Sequence, residues 1–175
     1  IIIIAFFFFF NASDFSEDVY FDVIKKKTAA LFSTAAEAGA RSVKSSDEMA
    51  NNAALFGELL GIAFQIKDDI LDYAGTASVG KPLGVDILEQ KITMPLLGAI
   101  ANAPAEEGRV RGLVKGIVDH PENRDGIVAF VKDNAGLEYA VQQLDKYVAQ
   151  AVDALSVLPL SKERQARFFR KLLFR

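Results

Sequence analysis

The chain has 175 residues, 51% hydrophobic and 25% charged, with 12 Gly and 5 Pro. That excludes a disordered, collagen-like or low-complexity polypeptide and allows one globular domain with a real core. Lys and Arg number 20 against 23 Asp and Glu, a net charge of -3, so no basic surplus points to nucleic acid or an anionic membrane.

With no Cys, disulfides, thiolate metal sites and cysteine nucleophiles are ruled out. A single His, His120, cannot build a multi-histidine zinc site. Any metal must be held mainly by carboxylates, which favours Mg2+ or another hard cation.

Residues 1–10 read IIIIAFFFFF. They lack the basic region and cleavage site of a signal peptide, and ten apolar residues are too few to span a bilayer. The run reads as a placeholder or unassigned segment and is set aside, with residues 11–175 expected to form one helical domain. The natural protein is expected to be longer than the sequence shown.

Ser16 is placed to cap a helix, with Glu17 and Asp18 in its positive first turn and Gly39 as a stop. Ser45 and Glu48 have the spacing of a capping box. From there a run without Pro reaches Tyr73, a helix of about 40 Å, closed by Gly75. A Gly/Pro loop, 75–86, precedes a helix from about 87 to 101 that should kink at Pro95. Pro104 opens another helix, to about 118, and further helices are expected at 122–133, 136–157 and 161–174. The last carries Arg164, Arg167, Arg170 and Lys171, read as its solvated face. No alternating strand pattern and no repeat emerges, so the fold class is all-α.

The second long helix carries the chemistry. At about 100° per residue from Gln65, Asp68, Asp69, Asp72 and Glu58 fall within one stripe. Phe56, Leu59, Leu60, Ile62, Phe64, Ile66, Ile70 and Leu71 fill most of the remaining arc, which predicts a buried helix. Three carboxylates within one turn repel one another, and burial makes their ionisation costlier. Divalent cations relieve that repulsion. D-D-x-x-D alone fits an ordinary acidic surface patch equally well. Lys27-Thr28, Lys81 in G-K-P-L-G-V-D and Lys91 in Q-K-I-T-M-P-L tip the balance. Lysines converging on a carboxylate–metal cluster are what a diphosphate requires.

In K-T at 27–28, F-Q-I-K-D-D-I-L-D at 64–72, G-K-P-L-G-V-D at 80–86 and K-I-T-M-P-L at 91–96, the chain resembles the trans-polyprenyl diphosphate synthases. The likeness runs from about residue 16 to 175 and matches the C-terminal half of such enzymes. It implies an isoprenoid-synthase-type helical bundle around a deep apolar cavity, in a cytoplasmic homodimer. The reaction implied is Mg2+-dependent ionisation of an allylic diphosphate, attack by isopentenyl diphosphate and loss of a proton. Asp68, Asp69 and Asp72 would form the second metal-binding motif, with Asp68 the direct ligand. Lys27 and Lys81 would contact the allylic diphosphate, and Thr28 and Gln65 would set oxygens near the developing cation. Asp86 and Lys91 would support the metal and diphosphate from the lid side.

The first aspartate-rich motif, its arginine pair and the N-terminal G-K-x-x-R element of that family are not among the 175 residues. A longer catalytic protein is therefore expected. The alternatives are a non-catalytic subunit that pairs with a prenyltransferase, or a class I terpene cyclase.

Overall fold

The computed structural model describes residues 16–74, 84–91, 93–158, 161 and 163. Every regular element among them is helical. Helix α1, Glu17–Ile24, begins as its sequence dictates: the Val19 N–H donates to Ser16 Oγ at 3.3 Å, and two acids occupy the first turn. The chain then widens into a π-helical stretch, Lys25–Ala29, and returns to α-helix in α2, Ala30–Ser42. Gly39 does not stop it. An exposed glycine with nothing around its would-be Cβ costs only helix propensity, about 1 kcal/mol. The helix ends instead where Lys44 turns left-handed, at φ 58°.

Helix α3, Asp47–Ala74, has 28 residues and is about 42 Å long. Its cap is Ser46, whose Oγ accepts the Met49 N–H at 3.3 Å. The expected box on Ser45 is one residue out of register, and the Ser45 hydroxyl turns to the Ser46 carbonyl instead. Next comes a four-residue helix, α4, Val85–Leu88, so Asp86 lies in a helix and not in the preceding loop. One kinked helix from 87 to 101 does not form. Gln90 takes a positive φ, and α5, Met94–Asn102, starts afresh with Pro95 in its first turn. A first-turn proline gives up no hydrogen bond and comes with a preset φ, so Pro95 opens this helix without kinking it.

A 3-10 turn at Pro104–Glu106 leads into α6, Glu107–Lys115, followed by α7, Asn123–Asp133, and α8, Gly136–Ser156. The expected helix at 161–174 and its four basic residues lie outside the described residues, save Ser161 and Glu163. No described helix is long and apolar enough to cross a membrane.

The main core joins Ile62 and Ile66 of α3 to Ile87, Met94, Leu96, Val114, Ile127 and Val131, contributed by α4 to α7. Each such side chain fully removed from water contributes about 1.5–3 kcal/mol. A second cluster sets Phe56, Leu59 and Leu60 of α3 against Ala151, Ala154 and Leu155 of α8. Helix α3 is thus the shared wall of both clusters.

Two glycines let the α2 arm lie against α3 at backbone contact. A Cβ on Gly61 would sit 2.6 Å from Ala29 Cα, and one on Gly57 would meet the Phe32 carbonyl. One turn beyond Gly61 is Gln65. The apolar arc of α3 is only partly covered: Phe64 is 55% exposed, with Phe32 beside it at 5.7 Å, and Leu71 is 39% exposed. The expectation of a helix buried around its whole apolar arc is corrected to that extent.

Candidate functional site

Helical spacing aligns Gln65, Asp69 and Asp72 along one side of α3, but their surroundings differ sharply. Asp69 is 3% exposed. Its Oδ2 accepts the Tyr20 hydroxyl at 2.7 Å and the Met94 backbone N–H at 3.1 Å, and its Oδ1 accepts the Gln65 side-chain nitrogen at 3.3 Å. Burial pushes the Asp69 carboxyl up to about 6, against the pull of those three donors. Burial, and then the Asp69 charge, raise the Tyr20 hydroxyl, so it stays a donor.

Asp72 does different work. Its Oδ1 and Oδ2 accept the Val85 and Asp86 backbone N–H groups at 3.1 and 3.2 Å, and its carbonyl accepts the Gly84 N–H at 3.0 Å. Gly84 has φ 70°, the left-handed region that suits glycine. Asp72 thereby ties the start of α4 to the end of α3. Burial raises its carboxyl, the backbone N–H of Asp86 pulls it back, and the Asp86 charge raises it again.

Asp86, so placed, accepts Lys91 Nζ at 2.9 Å, and Lys91 also reaches Glu89 at 2.5 Å. Partial burial lowers the Lys91 ammonium, but its hydrogen bonds to Glu89 and Asp86 outweigh that and raise it. Thr93 and Tyr73 are hydrogen-bonded at 3.1 Å just beneath this corner.

Asp68 is the exposed carboxylate of the three. Thr28, in the π-helical stretch, donates to Gln65 Oε1 at 3.2 Å. Lys27, next to it, is exposed. The extra residue per turn in such a stretch reorients the side chains that follow, and π-bulges recur at functional sites.

The structure therefore brings Thr28, Gln65 and Asp69 into one hydrogen-bonded chain, and Asp72, Asp86 and Lys91 into a second. Lys81 lies outside the described residues. Among the described residues, no three carboxylates or histidines converge closely enough to hold a metal ion unaided. The donors at hand are all oxygens, with Asp68 open to solvent. That set suits a hard cation which takes its remaining oxygens from water or a bound oxyanion.

Tyr20 and the Met94 amide belong to this region and carry no sequence signal beyond a tyrosine hydroxyl amid the apolar positions of α1. Their part emerges only when α1 and α5 meet over Asp69.

Comparison with known proteins adds family relationships. The family described as polyprenyl synthetase matches residues 7–132. An octaprenyl diphosphate synthase of Haemophilus influenzae is 34% identical over 160 residues, covering 89% of this chain and 48% of the relative. A geranylgeranyl diphosphate synthase of Saccharolobus solfataricus is 32% identical over 158 residues, covering 89% and 47%. Among solved structures, a geranylgeranyl pyrophosphate synthase from Bacteroides thetaiotaomicron superposes with TM-score 0.81 at 41% identity, over 94% of this chain and 56% of the other. A polyprenyl synthase from Caulobacter crescentus, complexed with calcium and isoprenyl diphosphate, superposes with TM-score 0.78 at 32% identity, over 87% and 47%. The chain spans about half the length of the curated relatives it matches.

Proposed function

The chain is a member of the polyprenyl synthetase family, and from that membership we propose that it carries the diphosphate-ionising side of a trans-prenyltransferase site. In this reading an allylic diphosphate is ionised and its cation is extended by isopentenyl diphosphate, giving a polyprenyl diphosphate. The observation that carries the proposal is the division among the carboxylates. Asp68 stands exposed beside two carboxylates, Asp69 and Asp72, whose oxygens are already engaged.

In this proposal Asp68 would be the direct ligand of Mg2+, while Asp69 and Asp72 beside it are held by the protein. When bound, Mg2+ supplies Lewis-acid stabilisation of the departing diphosphate. The cation bound by the Caulobacter crescentus relative, calcium, is likewise hard and oxygen-seeking.

Lys27 and Lys81 supply ammonium donors to the same oxygens. Lys91 is held by Asp86 and Glu89 at the edge of the site, where it adds positive charge without a long reach. Thr28 and Gln65 offer oxygen atoms at the position of the developing cation, where negative dipole ends stabilise positive charge. Exclusion of water from that cation prevents its capture as an alcohol. We infer a single helical domain over 11–175 that works as a homodimer in the cytoplasm.

The test is turnover by the full-length protein of geranyl diphosphate with isotope-labelled isopentenyl diphosphate in Mg2+. Labelled products longer by five-carbon steps are expected, and Asp68→Ala should lower their rate on the order of 100-fold or more. An Asp68→Ala protein with undiminished turnover would overturn the assignment.

A further inference from the structure

Between Thr28 and Tyr20 runs a hydrogen-bond relay that holding a metal does not require. The Gln65 amide sits in its middle, gripped at both ends: Nε2 donates to Asp69 Oδ1 at 3.3 Å, and Oε1 accepts from Thr28 Oγ1 at 3.2 Å. The two ends of an amide are nearly the same shape, so its partners decide which way it points. A threonine hydroxyl can donate or accept, and decides nothing. A carboxylate only accepts, so the nitrogen must face Asp69.

Asp69 cannot turn aside, because its Oδ2 is held by the Tyr20 hydroxyl at 2.7 Å and the Met94 N–H at 3.1 Å in a site 3% exposed. Those two bonds anchor it to α1 and α5, which approach α3 from the core. Asp68, its neighbour in sequence, is exposed.

We propose that Asp69 is a positioning residue and not a metal ligand: it turns the Gln65 amide so that the carbonyl oxygen faces Thr28 and the developing allylic cation. This rests on the prenyltransferase reading above and adds to it what sets the polarity of the groups around that cation. An oxygen end stabilises positive charge, whereas an N–H2 end in the same place repels it.

Asp69→Asn isolates this role. Asparagine keeps an oxygen for Tyr20 and Met94 but sets an N–H2 against Gln65, and two donors cannot share a bond. The network closes again only when Gln65 turns over and presents its nitrogen to Thr28. The variant should therefore fold, with the polarity of the amide reversed. Adding Gln65→Glu restores an acceptor on both sides, one towards the introduced asparagine and one towards Thr28.

The experiment uses the full-length protein at pH 8 with Mg2+ and inorganic pyrophosphate. Calorimetry compares an ammonium analogue of the allylic cation with its neutral isostere, alongside a metal-bridged bisphosphonate. Asp69→Asn should lower the preference for the ammonium analogue about tenfold, and leave metal-dependent bisphosphonate affinity within about threefold of wild type. The double variant should recover the preference. In NMR spectra, the Gln65 side-chain amide should shift in Asp69→Asn.

Bisphosphonate binding lost by 10-fold or more would make Asp69 a ligand and overturn the proposal. An unchanged ammonium preference, an unshifted Gln65 amide, or an Asp69→Asn protein that fails to fold would each overturn it too. A wild-type protein that binds neither ligand in Mg2+ would refute the prenyltransferase reading instead, and the Gln65 resonance would then still decide the orientation on its own.

Discussion

Asp68, Asp69 and Asp72 share a motif but not an environment, and their substitutions should separate accordingly. Asp68 is exposed, so Asp68→Ala should leave the melting temperature of the metal-free protein nearly unchanged, within about 0.5 kcal/mol of stability. A large loss in metal-free buffer would make Asp68 a structural residue. Asp69 should behave oppositely towards protons. Its carboxyl rises from an ordinary 3.8 to about 6 in the fold, so on acidification the folded state takes up the proton before the unfolded one does. The metal-free protein should therefore gain stability from this residue as pH falls from 7 to about 4, up to about 3 kcal/mol, with little change above pH 7. Urea unfolding across that range should show the gain in wild type and its absence in Asp69→Asn. A wild-type profile parallel to that of the variant would contradict the buried, ionised carboxylate. The stripe itself was legible in the sequence, because helical spacing alone aligns Gln65, Asp69 and Asp72. Their differing burial was not, because it depends on Tyr20 and Met94, 49 and 25 residues away along the chain.

At the scale of elements, the α1–α2 arm is placed by its crossing of α3. Gly61 admits Ala29 where a Cβ would lie 2.6 Å from the Ala29 Cα, and backbone cannot swing aside as a flexible side chain can. Gly61→Ala should cost about 1–3 kcal/mol by forced separation of the two segments. It should also weaken the Thr28–Gln65 bond one turn away, lowering turnover more than the stability loss alone accounts for. Chemical denaturation together with kcat measurement checks both halves, and an alanine variant of wild-type stability would show that the crossing is loose. Among the described residues, the places of α3, α6, α7 and α8 followed broadly from periodicity, but the separate helix α4 and three boundaries did not. Gly39 is tolerated within α2 because it is exposed, and the cap of α3 falls on Ser46 because the helix begins one residue later than the box required. Pro95 looked like a kink because the break at Gln90 carries no glycine to announce it. The π-helical widening at 25–29 has no signature in K-K-K-T-A; its last residue, Ala29, lies where the arm crosses Gly61 of α3.

Across the whole molecule, α3 serves both hydrophobic clusters with one set of faces and the carboxylate stripe with another. That double use fits a run of 28 residues without a proline: a kink would misalign the stripe with the groups α1, α4 and α5 bring to it. All-α architecture and the family were legible because F-Q-x-x-D-D-x-L-D and G-K-x-x-G-x-D combine residue types that packing alone would not select. The exposure of Phe64 and Leu71 was not legible, since an apolar arc on a helical wheel does not say which part of it another element covers.

A diphosphate site completed by metal should show itself in thermal unfolding of the full-length protein with an allylic bisphosphonate, in Mg2+ and in excess chelator. Lysines alone attract the ligand weakly, while the carboxylate stripe repels it unless a cation intervenes. The melting temperature should rise with Mg2+, the more so as ligand concentration grows, and should not rise in chelator. Equal stabilisation under both conditions would mean that no metal bridges the diphosphate to the carboxylates.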